Sequence, residues 1–223
     1  MDPSTFAGAR ATRGHSPSYP PAPWHLRGWG FCSAHLADVA GVRALVPPGL
    51  RIVTVLPGRT LAALYFASYE GASSLEYHEL AIAVALVWHR GRPHAWAPQL
   101  YVDNPASVAG GRAIWGLRKT LASFEHARSR GRGSVTVHVG GNAVCSFAVR
   151  AAGPAVPLQV PIAALGMQGE TRLSVVAKLG ARVRLASAQI SLPPDSPHRP
   201  AFARRAFAAL FYDNLDLSVP QPR

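Results

Sequence analysis

The chain of 223 residues carries a formal net charge of +12, and 48% of its residues are hydrophobic, enough for a core of its own. The longest apolar run, Leu80–Trp88, is too short to cross a bilayer, and residues 1–23 lack the apolar core of a signal peptide. Cys32 and Cys145 match no metal or redox spacing. We therefore expect a soluble, cytoplasmic protein with reduced thiols and no membrane partner.

The first third of the chain is predicted to contain a tail, a helix and three strands. Residues 1–20 are rich in Pro, Ser and Gly and are expected to form a flexible tail. A short helix is predicted over Asp38–Val46, with Asp38 as its N-cap and two prolines after its end. Segments dense in apolar, β-branched and aromatic residues predict strands over Arg51–Val55, Thr60–Tyr69 and Tyr77–Trp88. The last of them is apolar on both faces, which predicts a central strand.

The middle of the chain is predicted to hold one helix between strands. A strand is expected to end near Asp103, and Pro105–Trp115 is predicted as a helix. Residues 135–139 alternate valine with polar residues, which is the period of a half-buried strand. Gly140-Gly141 then predicts a hairpin turn into a strand over Val144–Val149.

The last third is predicted to contain a second hairpin and a C-terminal helix. Arg172–Lys178 and Ala181–Ile190 are predicted as strands joined by a turn at Gly180. Pro200–Tyr212 is predicted as a helix with most of its large apolar residues near one face. Many short strands with few helices favour a mainly β (α+β) barrel or sandwich, formed by a single domain over residues 21–223.

The most basic stretch of the chain is His126–Gly133, in which three arginines are separated by small residues. No aromatic residues interleave with them, and no zinc, helix-turn-helix or RNA-binding motif is present. We interpret the stretch as a solvated loop between strands and expect no nucleic-acid partner. The net positive charge instead favours an anionic small molecule such as a keto acid.

Lysine is rare in this chain, since only Lys119 and Lys178 stand beside 21 arginines. Arginine does not lose its proton in proteins, whereas a desolvated lysine can become a neutral amine. A neutral amine attacks a carbonyl group and forms a Schiff base. Lys119 is therefore either an imine-forming nucleophile or an ordinary solvated charge.

The residues around Lys119 separate these alternatives. Arg112, Trp115 and Gly116 precede Lys119 in an order that resembles the lysine segment of the acetoacetate decarboxylase family. Tyr77-His78-Glu79 matches the Tyr-x-Glu motif of that family at the family's spacing. Further segments resemble its entry segment, its early Val-Pro motif and the strand end before the lysine helix; these are Pro21–Trp24, Val46–Leu50 and Leu100–Asn104. The chain is identified as a divergent member of the acetoacetate decarboxylase-like superfamily.

The resemblance implies a closed β-barrel-like sheet with a few short helices and with Lys119 and Glu79 in an internal cavity. It implies that Lys119 forms a Schiff base with a keto or β-keto substrate and that Glu79 transfers protons. Tyr77 and Trp115, the aromatic members of the two motifs, are expected to line the substrate pocket. No metal or cofactor is expected, and the expected partners are the keto substrate and further copies of the chain.

The chain departs from the family beside the lysine. The second lysine of the family is Thr120 here. Arg118 either supplies the missing cation or points away, because adjacent residues of a strand face apart. By the same rule, His78 faces away from Glu79 and is expected to be structural.

Two further departures concern the pocket. Counting without gaps places the second active-site glutamate of the family on Leu64, and its N-terminal arginine on or beside Trp29. These replacements predict an apolar pocket and a substrate bulkier than acetoacetate. The composition, rich in arginine and alanine, is typical of genomes rich in G and C, where secondary-metabolite pathways are common.

The sequence thus predicts a lyase of the aldol, dehydration, cyclisation or decarboxylation type. Two alternatives stay open: a barrel that binds a small hydrophobic ligand without covalent chemistry, and acid–base catalysis by Glu79 without an imine.

Overall fold

The structure describes residues 18–223 as a computed structural model in which twelve strands share one sheet. The predicted mainly β fold is confirmed. The strands are β1 (Trp24–Asp38), β2 (Arg59–Tyr69), β3 (Tyr77–Ala83), β4 (Ala85–His89), β5 (Arg92–Trp96), β6 (Gln99–Val102), β7 (Lys119–Leu121), β8 (Ser123–Ser129), β9 (Arg132–Val139), β10 (Asn142–Gln168), β11 (Thr171–Ser191) and β12 (Ala208–Val219).

Four short helical segments accompany the sheet. They are the α-helices α1 (Val39–Val42) and α2 (Pro105–Trp115) and the 3-10 turns Arg43–Leu45 and Arg199–Phe202. No helix within residues 18–223 has the length and hydrophobicity needed to cross a membrane. The predicted tail, residues 1–20, lies outside the described residues except for its last three.

The sheet has the strand order β4-β5-β10-β11-β12-β1-β2-β3-β6-β7, and the β8–β9 hairpin joins it through β9 and β10. Among the described residues, no hydrogen-bonded ladder joins the terminal strands β4 and β7. The predicted closed barrel is therefore corrected to a barrel-like sheet that is not closed by hydrogen bonds. The two ends of the strand order do approach each other at one point. There the backbone N–H of Met167 in β10 donates to the carbonyl of Gly116, just before β7, at 2.9 Å.

Apolar side chains are buried on both faces of the sheet. One cluster, which we call the Phe core, contains Trp29, Phe31, Leu64, Phe66, Leu80, Phe147 and Phe211. The cluster on the other face, the Tyr core, contains Trp24, Tyr69, Tyr77, Trp115, Tyr212 and the apolar side chains of β11. Neighbouring residues of a strand point to opposite faces, so one step along β2 moves a side chain from one core to the other.

The C-terminal helix predicted over Pro200–Tyr212 is wrong. The chain makes only the 3-10 turn Arg199–Phe202 there and then enters β12, which pairs with β1 on one side and β11 on the other. The consecutive residues Phe211 and Tyr212 are buried in opposite cores, which a strand permits and a helix does not. Hydrogen bonding to β1 and to β11 therefore determines that this segment is a strand.

The turn predicted at Gly180 is also wrong. Strand β11 runs through Gly180, which pairs with Gln159 of β10 and Asp216 of β12. The register with β12 shifts between Gly180 and Arg182, so the glycine marks a β-bulge. The chain reverses earlier, at Gly169, whose φ is 57°.

Two predicted strands differ from the observed ones. Arg51–Val55 contributes only an isolated bridge, from Ile52 to β4. The predicted central strand Tyr77–Trp88 is divided at Val84 into β3 and β4. β3 pairs with β2 and β6, whereas β4 pairs with β5 at the far end of the strand order, so the chain changes its place in the sheet at Val84.

Two smaller predictions also need correction. The helix predicted over Asp38–Val46 consists of α1 and the 3-10 turn, but the side chain of Asp38 pairs with Arg59 and does not cap it. The basic stretch His126–Gly133 is mostly the β8–β9 hairpin, not a loop. Its Arg128 donates a hydrogen bond to Asp213 of β12 at 3.1 Å.

Candidate active site

Lys119 and Glu79 meet on the Tyr-core face of the sheet. Glu79 of β3 pairs with Val102 of β6, and Lys119, which begins β7, pairs with Leu100 of the same strand. The Nζ atom of Lys119 lies 2.7 Å from Oε2 of Glu79, and the two side chains are only 3% and 10% exposed. The structure thus brings a buried lysine and a buried glutamate into direct contact.

This pair is exceptional within residues 18–223. No other Asp, Glu, Lys or Arg is buried there. Removing two charges from water costs several kcal/mol per ion, which a close pair with good hydrogen bonds must offset. Buried ionisable groups with a specific partner are enriched at functional sites, so the pair is the leading candidate for the active centre.

The amine of Lys119 has two further polar partners. Its Nζ atom donates to Oγ of Ser107 at 2.9 Å and to the hydroxyl of Tyr77 at 3.3 Å. The rings of Tyr77 and Trp24 lie 4.7 Å and 5.8 Å from Nζ. An ammonium group has three N–H donors, and Glu79, Ser107 and Tyr77 together supply three acceptors.

Helix α2 shapes the site around the lysine. It begins at Asn104, whose side chain accepts a hydrogen bond from the N–H of Ala106 at 2.9 Å. Ser107 and Gly111 are four residues apart and share one face of the helix. A Cβ atom on Gly111 would stand 2.6 Å from Cδ of Lys119, so the glycine leaves room for the stem of the lysine.

The remaining motif residues hold the segment that carries Lys119. The Nε atom of Arg112 donates to the backbone carbonyl of Lys119 at 2.9 Å. Gly116 ends α2 in the left-handed region with φ 63°. Trp115 is buried and packs edge-on against Trp24, with ring centroids 4.8 Å apart. Trp115 therefore belongs to the Tyr core, where its Nε1 donates to the backbone carbonyl of Pro220 at 2.7 Å.

Arg118 does not supply a cation to the amine. It is exposed, and its guanidinium lies 5.4 Å from the ring centroid of Trp96. Of the two alternatives for Arg118, the one in which it points away from Lys119 is correct, because its guanidinium lies over the ring of Trp96.

The structure does not bring Trp29 and Leu64 to Lys119. Both lie in the Phe core, on the opposite face of the sheet. The indole Nε1 of Trp29 donates to Glu70 at 2.9 Å. Neighbouring residues of a strand face apart, and it is Tyr65, next to Leu64, that faces the Tyr core. Contrary to the prediction, Leu64 and Trp29 therefore do not lie on the face of the sheet that carries Lys119.

His78 faces the Phe core as predicted. Its Nδ1 lies 2.6 Å from Oδ2 of Asp103, and its backbone N–H donates to the same carboxylate at 2.8 Å. The ring of His78 also stacks beside Phe66. These contacts place it outside the Lys119 site.

Sequence analysis missed several hydroxyl groups of the site. The hydroxyls of Tyr65 and Tyr69 lie 3.2 Å apart, and the hydroxyl of Tyr212 lies 2.7 Å from Sγ of Cys32. Burial, with the nearby charge of Glu79, raises the pKa of Tyr77 well above its usual range. The alternation of tyrosine with apolar residues along β2 was the signal that could have found Tyr65 and Tyr69.

Known proteins resemble this chain in sequence and in fold. The sequence model of the acetoacetate decarboxylase family matches residues 9–163. The chain is 31% identical over 123 residues to Protein NEOXANTHIN-DEFICIENT 1 of Oryza sativa subsp. japonica, which covers 55% of this chain and 39% of that relative. It is 28% identical over 109 residues to acetoacetate decarboxylase of Ralstonia nicotianae, which covers 48% of this chain and 42% of that relative. The matches thus span about two fifths of the length of these curated relatives.

One solved structure with a bound keto acid shares the fold. The enduracididine biosynthesis enzyme MppR complexed with pyruvate superposes with a TM-score of 0.68 at 18% sequence identity. The likeness covers 100% of this chain and 98% of that one.

Proposed function

The chain belongs to the acetoacetate decarboxylase family, and on this basis we propose that it is an enzyme acting on a keto or β-keto substrate through a Schiff base of Lys119. Glu79 transfers protons in this proposal, and the reaction is of the lyase type. The observation that carries it is the buried 2.7 Å contact between Nζ of Lys119 and Oε2 of Glu79. An amine and a proton carrier adjoin there with little access for water.

The proposed chemistry follows from this contact. Transfer of one Nζ proton to Glu79 leaves a neutral amine, which attacks the carbonyl carbon of the substrate. A C–N bond forms, and the carbonyl oxygen takes up one proton from the nitrogen and the one held by Glu79 and leaves as water. The protonated imine draws in the electron pair of a bond at the α-carbon, and the group on that bond leaves as carbon dioxide, as a carbonyl compound or as a proton taken up by Glu79. Where a proton must be added to the α-carbon, Glu79 delivers one that it has taken up from water or from the substrate, and water hydrolyses the imine to release the product.

We further propose a substrate bulkier than acetoacetate, drawn from secondary metabolism. Leu64 and Trp29 give this no support, because they face the Phe core. Support comes from the polar groups of Tyr65 and Tyr69, which extend the site beyond Tyr77. The likeness to an enduracididine biosynthesis enzyme supports the assignment to secondary metabolism but not the larger size, because the pyruvate bound there is smaller than acetoacetate. We also propose that the protein is cytoplasmic and needs no cofactor, as its cysteine spacing and motifs predict, and that it is a homo-oligomer, as the family resemblance implies.

A second candidate function is non-covalent binding of a small hydrophobic ligand. The three acceptors around Nζ favour it, because they suit a charged ammonium that is not nucleophilic. Acid–base catalysis by Glu79 without an imine uses the same contact.

Reduction with borohydride separates these functions. The protein is incubated with pyruvate, acetoacetate or larger ketones, reduced, digested and mapped by mass spectrometry. The proposal expects a reduced adduct on Lys119 and none in Lys119→Arg. Lys178→Arg is the matched control, since the exposed Lys178 is the other lysine of the chain. Adducts that form equally on Lys178, or on neither lysine, would exclude the Schiff base at Lys119.

A further inference from the structure

A run of polar side chains leads away from the amine across four neighbouring strands, β3, β2, β1 and β12. We call it the tyrosine run; its members are Tyr77, Tyr69, Tyr65, Tyr212 and Cys32. The rings of Tyr77 and Tyr69 lie 4.9 Å apart, and those of Tyr65 and Tyr212 lie 6.2 Å apart. The run begins at the hydroxyl that binds Lys119 and ends at the thiol of Cys32.

The members of the run are uncharged at neutral pH. Burial raises the pKa of Tyr65, Tyr69 and Tyr212 well above the usual range of a phenol. Burial also raises the pKa of the Cys32 thiol. These groups therefore act as neutral hydrogen-bond donors and acceptors.

One hydroxyl hydrogen of the Tyr65–Tyr69 pair is not used in the hydrogen bond between the two side chains. Two phenols that share one hydrogen bond use one O–H as the donor, and the accepting phenol keeps its own O–H. Within residues 18–223 that second O–H has no acceptor. A buried donor without a partner destabilises the protein, so a ligand oxygen at this position would be favoured.

The surroundings disfavour a second negative charge. On this face β11 contributes only apolar side chains, which are Val175, Ala177, Leu179, Ala181 and Val183. Lys119 is the only buried cation of the described residues, and Glu79 already pairs with it. A substrate carboxylate beside Glu79 would lack a counter-ion, whereas a neutral oxygen needs only a donor.

We infer that Tyr65 and Tyr69 are specificity-determining residues, which select substrates with an uncharged oxygen, a hydroxyl or keto group, beyond the reacting carbonyl. This inference rests on the proposed function, because it takes Lys119 as the group that binds the reacting carbonyl. The selected substrate class is the hydroxy ketone or diketone, in preference to the simple keto acid.

Matched methyl ketones test the inference. Each ω-hydroxy ketone, with two to four carbons between carbonyl and hydroxyl, is paired with the ketone that carries a methyl group in place of the hydroxyl. Half-maximal concentrations for borohydride trapping at Lys119 are measured for both members, and calorimetric titration without reductant measures their binding. The expected result is a preference of about tenfold for the best hydroxy ketone, the size of one neutral hydrogen bond.

Variants assign the preference to the two tyrosines. Tyr65→Phe and Tyr69→Phe should each reduce the ratio between the two half-maximal concentrations towards unity, because only the hydroxy ketone loses a hydrogen bond. Tyr101→Phe is the matched control, because this tyrosine packs against the Phe core; the preference should survive in it. A preference that persists in both test variants would overturn the inference. So would tighter binding of the keto acid that carries a carboxylate in place of the hydroxyl group. If calorimetry shows tighter binding of the hydroxy ketone but neither ketone is trapped on Lys119, the proposed Schiff base is wrong and the specificity of the two tyrosines still holds.

Discussion

Gly111 lies directly against the side chain of Lys119. A Cβ atom at Gly111 would stand 2.6 Å from Cδ and 2.8 Å from Cε of the lysine, closer than any real Cβ contact. The helix that supplies Ser107 to the amine therefore also needs a glycine one turn later. This relationship explains why a residue unfavourable in helices lies at the middle of α2.

Gly111→Ala should displace the lysine and reduce imine trapping strongly, with a small effect on stability. Overpacking costs about 1–3 kcal/mol, while alanine gains about 1 kcal/mol of helix propensity over glycine. Trapping and the denaturation midpoint are both measured. Gly41→Ala is the control, since a Cβ there meets its nearest neighbour at an ordinary 3.5 Å. Full trapping in Gly111→Ala would show that the lysine does not depend on this space.

Lys119→Arg and Glu79→Gln should have different effects on the reaction. Arginine keeps the charge but is not a nucleophile, so Lys119→Arg should abolish both trapping and turnover. Glu79→Gln should retain trapping and slow turnover by about 10²–10⁴-fold, the usual contribution of a general acid–base group. Single-turnover kinetics with a trapped substrate measures both effects. An active Lys119→Arg protein would exclude covalent catalysis at this residue.

The buried ion pair predicts non-additive effects on stability. Glu79→Ala leaves the amine buried without its counter-charge, which should lower the free energy of unfolding by about 3–5 kcal/mol. The double variant Glu79→Leu with Lys119→Met should be destabilised much less, because neither charge remains buried. Urea denaturation of both variants measures the difference. Equal destabilisation would show that packing, and not charge, dominates at this site.

We expect little or no decarboxylation of acetoacetate by the purified protein. Thr120 replaces the second lysine, and Arg118 faces Trp96, so neither sequence neighbour of Lys119 supplies a cation to its amine. Release of carbon dioxide from acetoacetate is measured with Lys119→Arg as the blank. Rapid release would show that burial beside Glu79 activates the lysine without such help.

Stability should fall in acid partly through His35. Burial lowers the pKa of His35, although its bond to the carbonyl of Arg204 opposes the shift. The unfolded chain therefore binds a proton at His35 more tightly than the folded chain does. The stability that the neutral, buried His35 contributes is present above about pH 6.5 and is lost as the pH falls towards the folded pKa. In urea denaturation at about pH 7.5 and 5, wild-type protein should lose more stability than His35→Gln. A pH-independent difference between them would show that His35 does not titrate in this range.

Much of the local structure could be predicted from sequence. Helix α2 has the predicted bounds, β2 differs by one residue from the predicted strand, and the hairpin turns at Gly140-Gly141 as expected. These elements follow from local signals such as capping, strand propensity and glycine turns. The turn at Gly180 and the helix over Pro200–Tyr212 were wrong, because pairing with distant strands overrode the local pattern.

The sequence by itself determined the motif residues and their spacing, and the resemblance of these motifs to the family implied that Lys119 and Glu79 would meet. Only the tertiary structure decided which other residues meet them. Side chains alternate between two buried faces, so the count along the sequence assigned Leu64 to a site that its neighbour Tyr65 faces. When both faces of a sheet are buried, the hydrophobicity of a residue does not indicate which face its side chain occupies. The register with the neighbouring strands decides it.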